Sequence, residues 1–197
     1  IKLRLTRAGK LDGALIVENH IQAALRSAGT DQNTPPQEPL PGKSKPSPVL
    51  AEWQLTEIDH SLGILGAQAS LDHNREGQTA IAYFDDITNN LKFATLRESK
   101  WQIITVASTG NVGSNPSLCF SPRARPGISY FDLINGELKF TTLNDGEWVK
   151  HTVDNSGKLG HSASLSFGKD GRPAISYYDL TNKNLKFASF DGSQWHV

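Results

Sequence analysis

Aspartates recur at a fixed spacing along most of this 197-residue chain, each closing a Tyr-Phe-Asp or Tyr-Tyr-Asp motif. They are Asp85, Asp132 and Asp179. An aspartate beside a turn could ligate calcium, but calcium takes about six to eight oxygen ligands and each turn offers fewer. We therefore favour an Asx turn, in which the aspartate side chain caps the hairpin.

Each aspartate is followed seven residues later by a lysine, and these are Lys92, Lys139 and Lys186. The lysines could bind an acidic ligand on each repeat. Alternatively they pair with the repeated aspartates across a hairpin, which we favour, and an exposed pair of this kind contributes about 0 to 1 kcal/mol.

Two arginines precede proline at equivalent positions, Arg125 and Arg172, where the first repeat has Gln78. We treat both, together with the three lysines, as possible ligand-binding residues. Cys119 is the single cysteine, and no partner histidine for a catalytic thiolate can be identified, so we interpret it as a buried thiol. The histidines show no metal-ligand spacing. We therefore predict no catalytic residue, metal or cofactor.

These residues belong to three copies of a 47-residue unit. The same offset relates the tryptophans Trp101, Trp148 and Trp195 and the tyrosines Tyr83, Tyr130 and Tyr177. Each copy divides into four short strands separated by turn residues, in the third copy 162–167, 173–179, 185–190 and 194–197. Four antiparallel strands in a unit of this length are typical of a β-propeller blade. An exposed tryptophan could stack on a sugar, but one per blade at one strand position favours packing between blades.

The predicted fold class is all-β, with three four-stranded β-propeller blades and one further outer strand, beginning at Trp53, in residues 51–197. Residues 1–34 are predicted to be a small β-rich segment. Residues 35–50 are predicted to be a linker, because six of the ten prolines lie there and such a segment is extended. Propellers usually close with about four to eight blades. We therefore expect a piece of a longer polypeptide, with a ring shared between chains as the alternative.

Two stretches resemble known families. TLNDGEW (142–148) and SFDGSQW (189–195) resemble the Asp-box hairpin of sialidase-type propellers with one residue fewer, whereas TLRESKW (95–101) lacks its Asp and Gly. In that family the motif is structural, so the resemblance implies a blade and no activity. LTRAGKLDGALIV, near the start, is similar to Calx-beta domains, which are sandwich modules of extracellular proteins. This resemblance implies a remnant of such a module and an extracellular or cell-surface location.

The formal net charge is zero, which argues against nucleic acid as a partner, and no apolar run is long enough for membrane insertion. We predict a non-catalytic binding or scaffold module whose loops or inter-blade grooves contact a glycan or a protein. One alternative is a sialidase-like glycoside hydrolase, although neither a third arginine nor a facing carboxylate pair can be identified. The other is a purely structural part of a larger assembly.

Overall fold

The computed structural model describes residues 55–60, 67–157 and 159–197, so the predictions for residues 1–34 and 35–50 lie outside it. The chain divides into two units, Ile1–Glu52 and Trp53–Val197, and all described residues belong to the second. Within these ranges the regular structure is β-strand. The same ranges contain no helix that is long and apolar enough to cross a membrane.

Twelve strands form three antiparallel sheets, each built from four strands that follow one another in the chain. Their bounds are β1 Ala69–His73, β2 Thr79–Asp85, β3 Asn90–Arg97, β4 Lys100–Ala107, β5 Val112–Phe120, β6 Pro126–Asp132, β7 Glu137–Asn144, β8 Glu147–Asp154, β9 Leu159–Phe167, β10 Pro173–Asp179, β11 Asn184–Phe190 and β12 Trp195–His196. We call the sheets blade 1 (β1–β4), blade 2 (β5–β8) and blade 3 (β9–β12). The predicted all-β, propeller-like fold class is confirmed, and the three sheets do not close a ring.

The strands predicted at 185–190 and 194–197 are Asn184–Phe190 and Trp195–His196 in the structure, and two other predicted strands differ more. The strand predicted at 162–167 begins earlier, at Leu159, because the chain continues past an irregularity to pair Leu159 with Asp179. Residues 55–60, the described part of the predicted outer strand, form no strand. An outer strand needs the third strand of a preceding blade to pair with, and the described residues contain no blade before blade 1.

The hairpins between third and fourth strands are set by the turn residues. In blade 2, Asn144 pairs with Glu147, and the two residues between them, Asp145 and Gly146, have φ of 49° and 89°. Positive φ at both positions is the geometry of a type I′ turn, whose twist matches that of the flanking strands. The hairpin therefore holds β7 and β8 in register, whereas the equivalent connection of blade 3 is longer, because Phe190 pairs with Trp195.

Adjacent blades pack face to face through aromatic residues. Trp148 of blade 2 meets Phe93 of blade 1 edge-on with ring centroids 5.1 Å apart, and Trp195 of blade 3 meets Phe140 of blade 2 at 5.3 Å. Such pairs contribute about 0.5 to 1.5 kcal/mol beyond the burial of their area. The prediction that the tryptophans pack between blades is thus confirmed for these two. Trp101 is partly buried on blade 1.

The backbones of neighbouring blades also approach closely. Gly113, at φ 111°, lies so near blade 1 that a Cβ on it would be 2.7 Å from the Cα of Leu91. Ser70 Oγ of β1 accepts a hydrogen bond from the Leu118 N–H of β5 at 2.9 Å, and Ser117 Oγ accepts from the Leu165 N–H of β9 at 3.0 Å. The repeated Ser-Leu pairs therefore connect the first strands of successive blades.

Replacing Ser117 with alanine tests this connection. Ser117→Ala removes the acceptor of the buried Leu165 N–H, so we expect the free energy of unfolding to fall by about 1 to 3 kcal/mol. Urea denaturation followed by tryptophan fluorescence measures the change. Ser166→Ala, at an exposed position of β9, is the matched control and should leave the midpoint unchanged. Equal midpoints for both variants would contradict the assignment.

Candidate functional site

A pocket of about 260 Å³ lies between blades 2 and 3, at the end of the sheets where the first strand turns into the second and the third into the fourth. Both blades contribute to its walls. The residues that matter most for its chemistry are Arg123, Arg125, Phe140 and His151 from blade 2 and Phe167, Asp170, Arg172 and Phe190 from blade 3. The site therefore exists only where two blades meet.

Two of the predicted ligand-binding residues line this pocket, Arg125 from blade 2 and Arg172 from blade 3. Each immediately precedes a strand that begins with proline. Arg125 Nη1 donates to Asn144 Oδ1 at 2.8 Å, and Arg172 Nε lies 3.5 Å from Asp170 Oδ2. A guanidinium carries several N–H donors, so one such contact orients each arginine and leaves it able to donate to a ligand.

Aromatic rings line the pocket beneath the arginines. Phe140 is buried and meets Phe167 edge-on with ring centroids 6.3 Å apart. The His151 ring lies 5.8 Å from the Phe190 ring. Phe167, His151 and Phe190 are each partly exposed. Apolar ring surface with a few convergent polar groups is the usual composition of a small-molecule site.

The junction between blades 1 and 2 has the same packing but different lining residues. Counting back one repeat, Gln78 stands where Arg125 stands, Ile104 where His151 stands, and Leu143 where Phe190 stands. The two junctions therefore do not offer the same chemistry. The two arginines recur between copies and were predicted. His151, Asp170 and Phe190 were missed because different residues stand at the equivalent positions, and Phe167 was missed although Phe120 stands one repeat earlier. The signal that could have found His151 and Phe190 is their departure from the repeat.

The predicted lysines do not line this pocket. Lys92 Nζ lies 2.8 Å from Asp85 Oδ2, and Lys186 Nζ lies 3.4 Å from Asp179 Oδ2, so the predicted pairing across the hairpin is confirmed for both. Lys139 contacts the Glu137 carboxylate and donates to Thr152 Oγ1 at 2.9 Å.

The repeated aspartates cap their hairpins as predicted, and each accepts hydrogen bonds from the equivalent backbone N–H groups. The Oδ1 atom of each accepts hydrogen bonds from the backbone N–H groups two and three residues later, at 2.9 to 3.2 Å; the aspartates are Asp85, Asp132 and Asp179. These contacts are Asx turns. Within the described ranges no group of three or more His, Cys, Asp or Glu side chains could hold a metal ion.

A second aspartate joins this network from the preceding blade. Asp154, at the end of β8, accepts hydrogen bonds through Oδ2 from Tyr177 Oη at 2.5 Å and from Lys186 Nζ at 2.9 Å. Burial raises the pKa of Asp154, but the hydrogen bonds from Lys186, Tyr177 and Ser156 outweigh it and lower the pKa to about 2. Burial, followed by the bond to Asp154, raises the pKa of Tyr177. The carboxylate is therefore charged, and the phenol neutral, across the physiological range.

Cys119 lies at the junction of the blades, where its counterpart in blade 1 is Asp72. Asp72 Oδ2 accepts a hydrogen bond from the Phe120 N–H at 2.8 Å. In blade 1 this repeat position therefore connects the first strand, β1, to the first strand of blade 2, β5. Burial and the charge of Asp72 raise the pKa of the Cys119 thiol. The prediction of a buried thiol is wrong in degree, because Cys119 is only partly buried, but a thiol kept protonated is a poor nucleophile.

No family model and no curated protein matches the chain, so the Asp-box and Calx-beta resemblances are not confirmed. Among solved structures, the chain is similar to a fucose lectin from Kordia zhangzhouensis, solved in complex with methyl-fucoside. The two are 15% identical with a TM-score of 0.46, and the match covers 66% of this chain and 96% of the lectin. A likeness at this level carries no information about what this chain binds.

Replacing Asp154 tests the energetic role of the inter-blade network. Its side chain is 4% exposed, and one pKa unit corresponds to about 1.4 kcal/mol. Lowering the pKa from 3.8 to about 2 therefore stabilises the fold by about 2 kcal/mol at neutral pH. Because the folded-state pKa is the lower one, this stability is present above about pH 4 and is lost as the pH falls towards 2.

We thus expect Asp154→Asn to lower the free energy of unfolding by about 2 kcal/mol at pH 7 and by progressively less between pH 5 and pH 2. Urea denaturation across this pH range measures the gap, which is the difference in the free energy of unfolding between the wild type and the variant. Asp145→Asn, in the exposed turn of the same blade, is the control and should follow the wild type throughout. A gap that stays constant down to pH 2 would refute the electrostatic origin.

Proposed function

We propose that the chain is a non-catalytic, glycan-binding module that holds one sugar residue in the pocket between blades 2 and 3. The observation that carries the proposal is the lining of that pocket. Partly exposed aromatic rings lie beside Arg125, Arg172 and the Asp170 carboxylate.

A sugar ring has the surface that such a lining complements. Its axial C–H groups form an apolar patch that can lie on an aromatic ring face, which carries a partial negative charge. Its hydroxyls both donate and accept hydrogen bonds. The guanidiniums of Arg125 and Arg172 supply donors, and the Asp170 carboxylate supplies an acceptor. A purely apolar ligand would contact the aromatic rings and leave the charged side chains without a partner, and a purely charged ligand would do the reverse.

The size of the pocket favours a single sugar residue over a long chain. Sites for drug-sized ligands measure about 300 to 1,000 Å³, and this pocket, at about 260 Å³, lies just below that range. A terminal residue of a glycan fits this description, because the remainder of the chain can leave through the open side. Arg123, exposed at the rim, could contact the next residue.

Binding without turnover agrees with the acidic groups present. Glycoside hydrolysis by the common mechanisms uses two carboxyl groups that flank the scissile bond, about 5 to 10 Å apart. Asp170 is the one carboxylate among the residues that line the pocket. The repeated tyrosines cannot replace the second carboxyl group, because Tyr83, Tyr130 and Tyr177 are buried within the blades.

Glycan-array screening of the chain, followed by calorimetry with the best ligand, tests the proposal. We expect Arg172→Ala to weaken binding about 10- to 100-fold, as for loss of a hydrogen bond from a charged donor. Phe190→Leu and Arg125→Gln place in the pocket the residues that the chain itself uses at the blade 1–blade 2 junction. They should also weaken binding while the fold is retained.

Arg97→Ala is the matched control, because Arg97 is exposed on the blade 1 hairpin, away from the pocket. It should bind like the wild type. Mass spectrometry of the ligand after prolonged incubation should show it unchanged, and cleavage would support the hydrolase alternative. A blank array would overturn the proposal and favour a protein ligand or a purely structural role. Binding that survives Arg172→Ala would place the ligand elsewhere.

A further inference from the structure

Blade 3 leaves uncovered a face that the other two blades bury. On β11, Leu185 is 80% exposed and Phe187 is 61% exposed. Their counterparts one and two repeats earlier are at most 4% exposed; they are Leu138 and Phe140 in blade 2 and Leu91 and Phe93 in blade 1. The residue types are unchanged, so the difference lies in whether a neighbouring blade packs against them.

Blade 1 leaves much of the opposite face uncovered, although Asp59 contacts Tyr83 and Lys92 there. Leu71 on β1 is 55% exposed, whereas its counterparts Leu118 and Leu165 are at most 6% exposed. Trp101 occupies the position from which Trp148 and Trp195 reach the phenylalanine of the preceding blade. Blade 1 therefore carries a tryptophan, Trp101, that could pack on a preceding blade. Blade 3 carries a phenylalanine, Phe187, on which the tryptophan of a following blade could pack.

The two open faces match because the chain already joins such faces twice. Blade 1 to blade 2 and blade 2 to blade 3 each use a Trp–Phe pair and a Ser–Leu hydrogen bond. At a third junction of the same kind, the exposed Ser164 would accept from the Leu71 N–H, and Trp101 would pack on Phe187. The residues for both of these contacts are present in the sequence at their repeat positions.

We propose that a second copy of this chain covers these faces head to tail, with blade 3 of each copy packed against blade 1 of the other. The described residues of two copies supply six blades, within the usual range of about four to eight, whereas those of three copies would supply nine. A heterologous contact of this kind gives a closed ring when its rotation closes. Covering exposed leucine and phenylalanine side chains removes apolar area from water and so favours association.

Closure would also complete a second kind of inter-blade pocket. At the new junction Phe187 takes the place of Phe140, and Arg172 takes the place of Arg125. The second copy contributes Gln78 where the described pocket has Arg172. The head-to-tail contact between two copies does not depend on glycan binding, so either proposal can fail without the other.

Sedimentation equilibrium of the chain at about 50 μM measures the assembly directly. We expect a mass of twice the 21.5 kDa of one chain. Leu185→Glu on the blade 3 face and Leu71→Glu on the blade 1 face should each give monomers, because burying an unpaired charge opposes association. Both residues are exposed, so circular dichroism should show each variant folded. Ile134→Glu is the matched control: Ile134 is 70% exposed on a turn of blade 2, and this variant should remain dimeric.

Mixing the two monomeric variants tests the head-to-tail arrangement. Leu71→Glu retains an intact blade 3 face and Leu185→Glu retains an intact blade 1 face, so an equimolar mixture should form a dimer through one junction. A like-to-like contact between two blade 3 faces predicts instead that Leu71→Glu alone stays dimeric. Monomeric wild-type chain at 50 μM, a dimeric Leu71→Glu variant, or a mixture that stays monomeric would each overturn the proposal.

Discussion

Burial between blades is the constraint on which the rest of the structure depends. A four-stranded sheet of this length has two faces and cannot cover either by itself, so its apolar residues become a core only when another sheet lies against them. Leu138 is fully buried and Leu185 is 80% exposed, although they occupy the same position of the same motif. Sequence and local structure are nearly constant between them, and the neighbouring blade alone decides their burial.

The polar contacts between blades are added to this burial and are not indispensable to it. Asp154 reaches from the end of blade 2 to Tyr177 and Lys186 of blade 3, and Asp59 makes the same contacts with Tyr83 and Lys92 of blade 1. At the remaining junction the equivalent residue is Ala107, yet Tyr130 of blade 2 is still buried. Burial, and then the charge of Asp132, raise the pKa of Tyr130 to about 12. An apolar contact therefore suffices to hold a tyrosine in this position, and the aspartate makes one junction more dependent on pH than another.

What repeats in the sequence was predictable, because a position that recurs every 47 residues has the same surroundings in each blade that has the same neighbours. The strands, the Asx turns of Asp85, Asp132 and Asp179, and the inter-blade packing of Trp148 and Trp195 follow from this rule. The pocket could not be predicted in the same way, because it is assembled from two blades and its character comes from residues that differ between copies. Arg125 and Arg172 were found since they recur, but nothing in the repeat joins them to His151 or Phe190. The lysines were weighed as ligands for the same reason, and geometry places Lys92 and Lys186 in ion pairs instead.

The difference between residues that are the same in each copy and residues that vary between copies has a physical basis. At the pocket, Phe140 packs on Trp195 as Phe93 packs on Trp148 at the other junction, so the contact that stabilises the two blades is common to both junctions. The lining above it is partly exposed and contributes less to folding, since little of its area is removed from water. Exchanging glutamine for arginine or leucine for phenylalanine at the rim therefore costs little stability while it alters charge and ring surface. A repeat architecture can in this way vary the chemistry of each junction separately, which is why the differences between copies are more informative about binding than the identities.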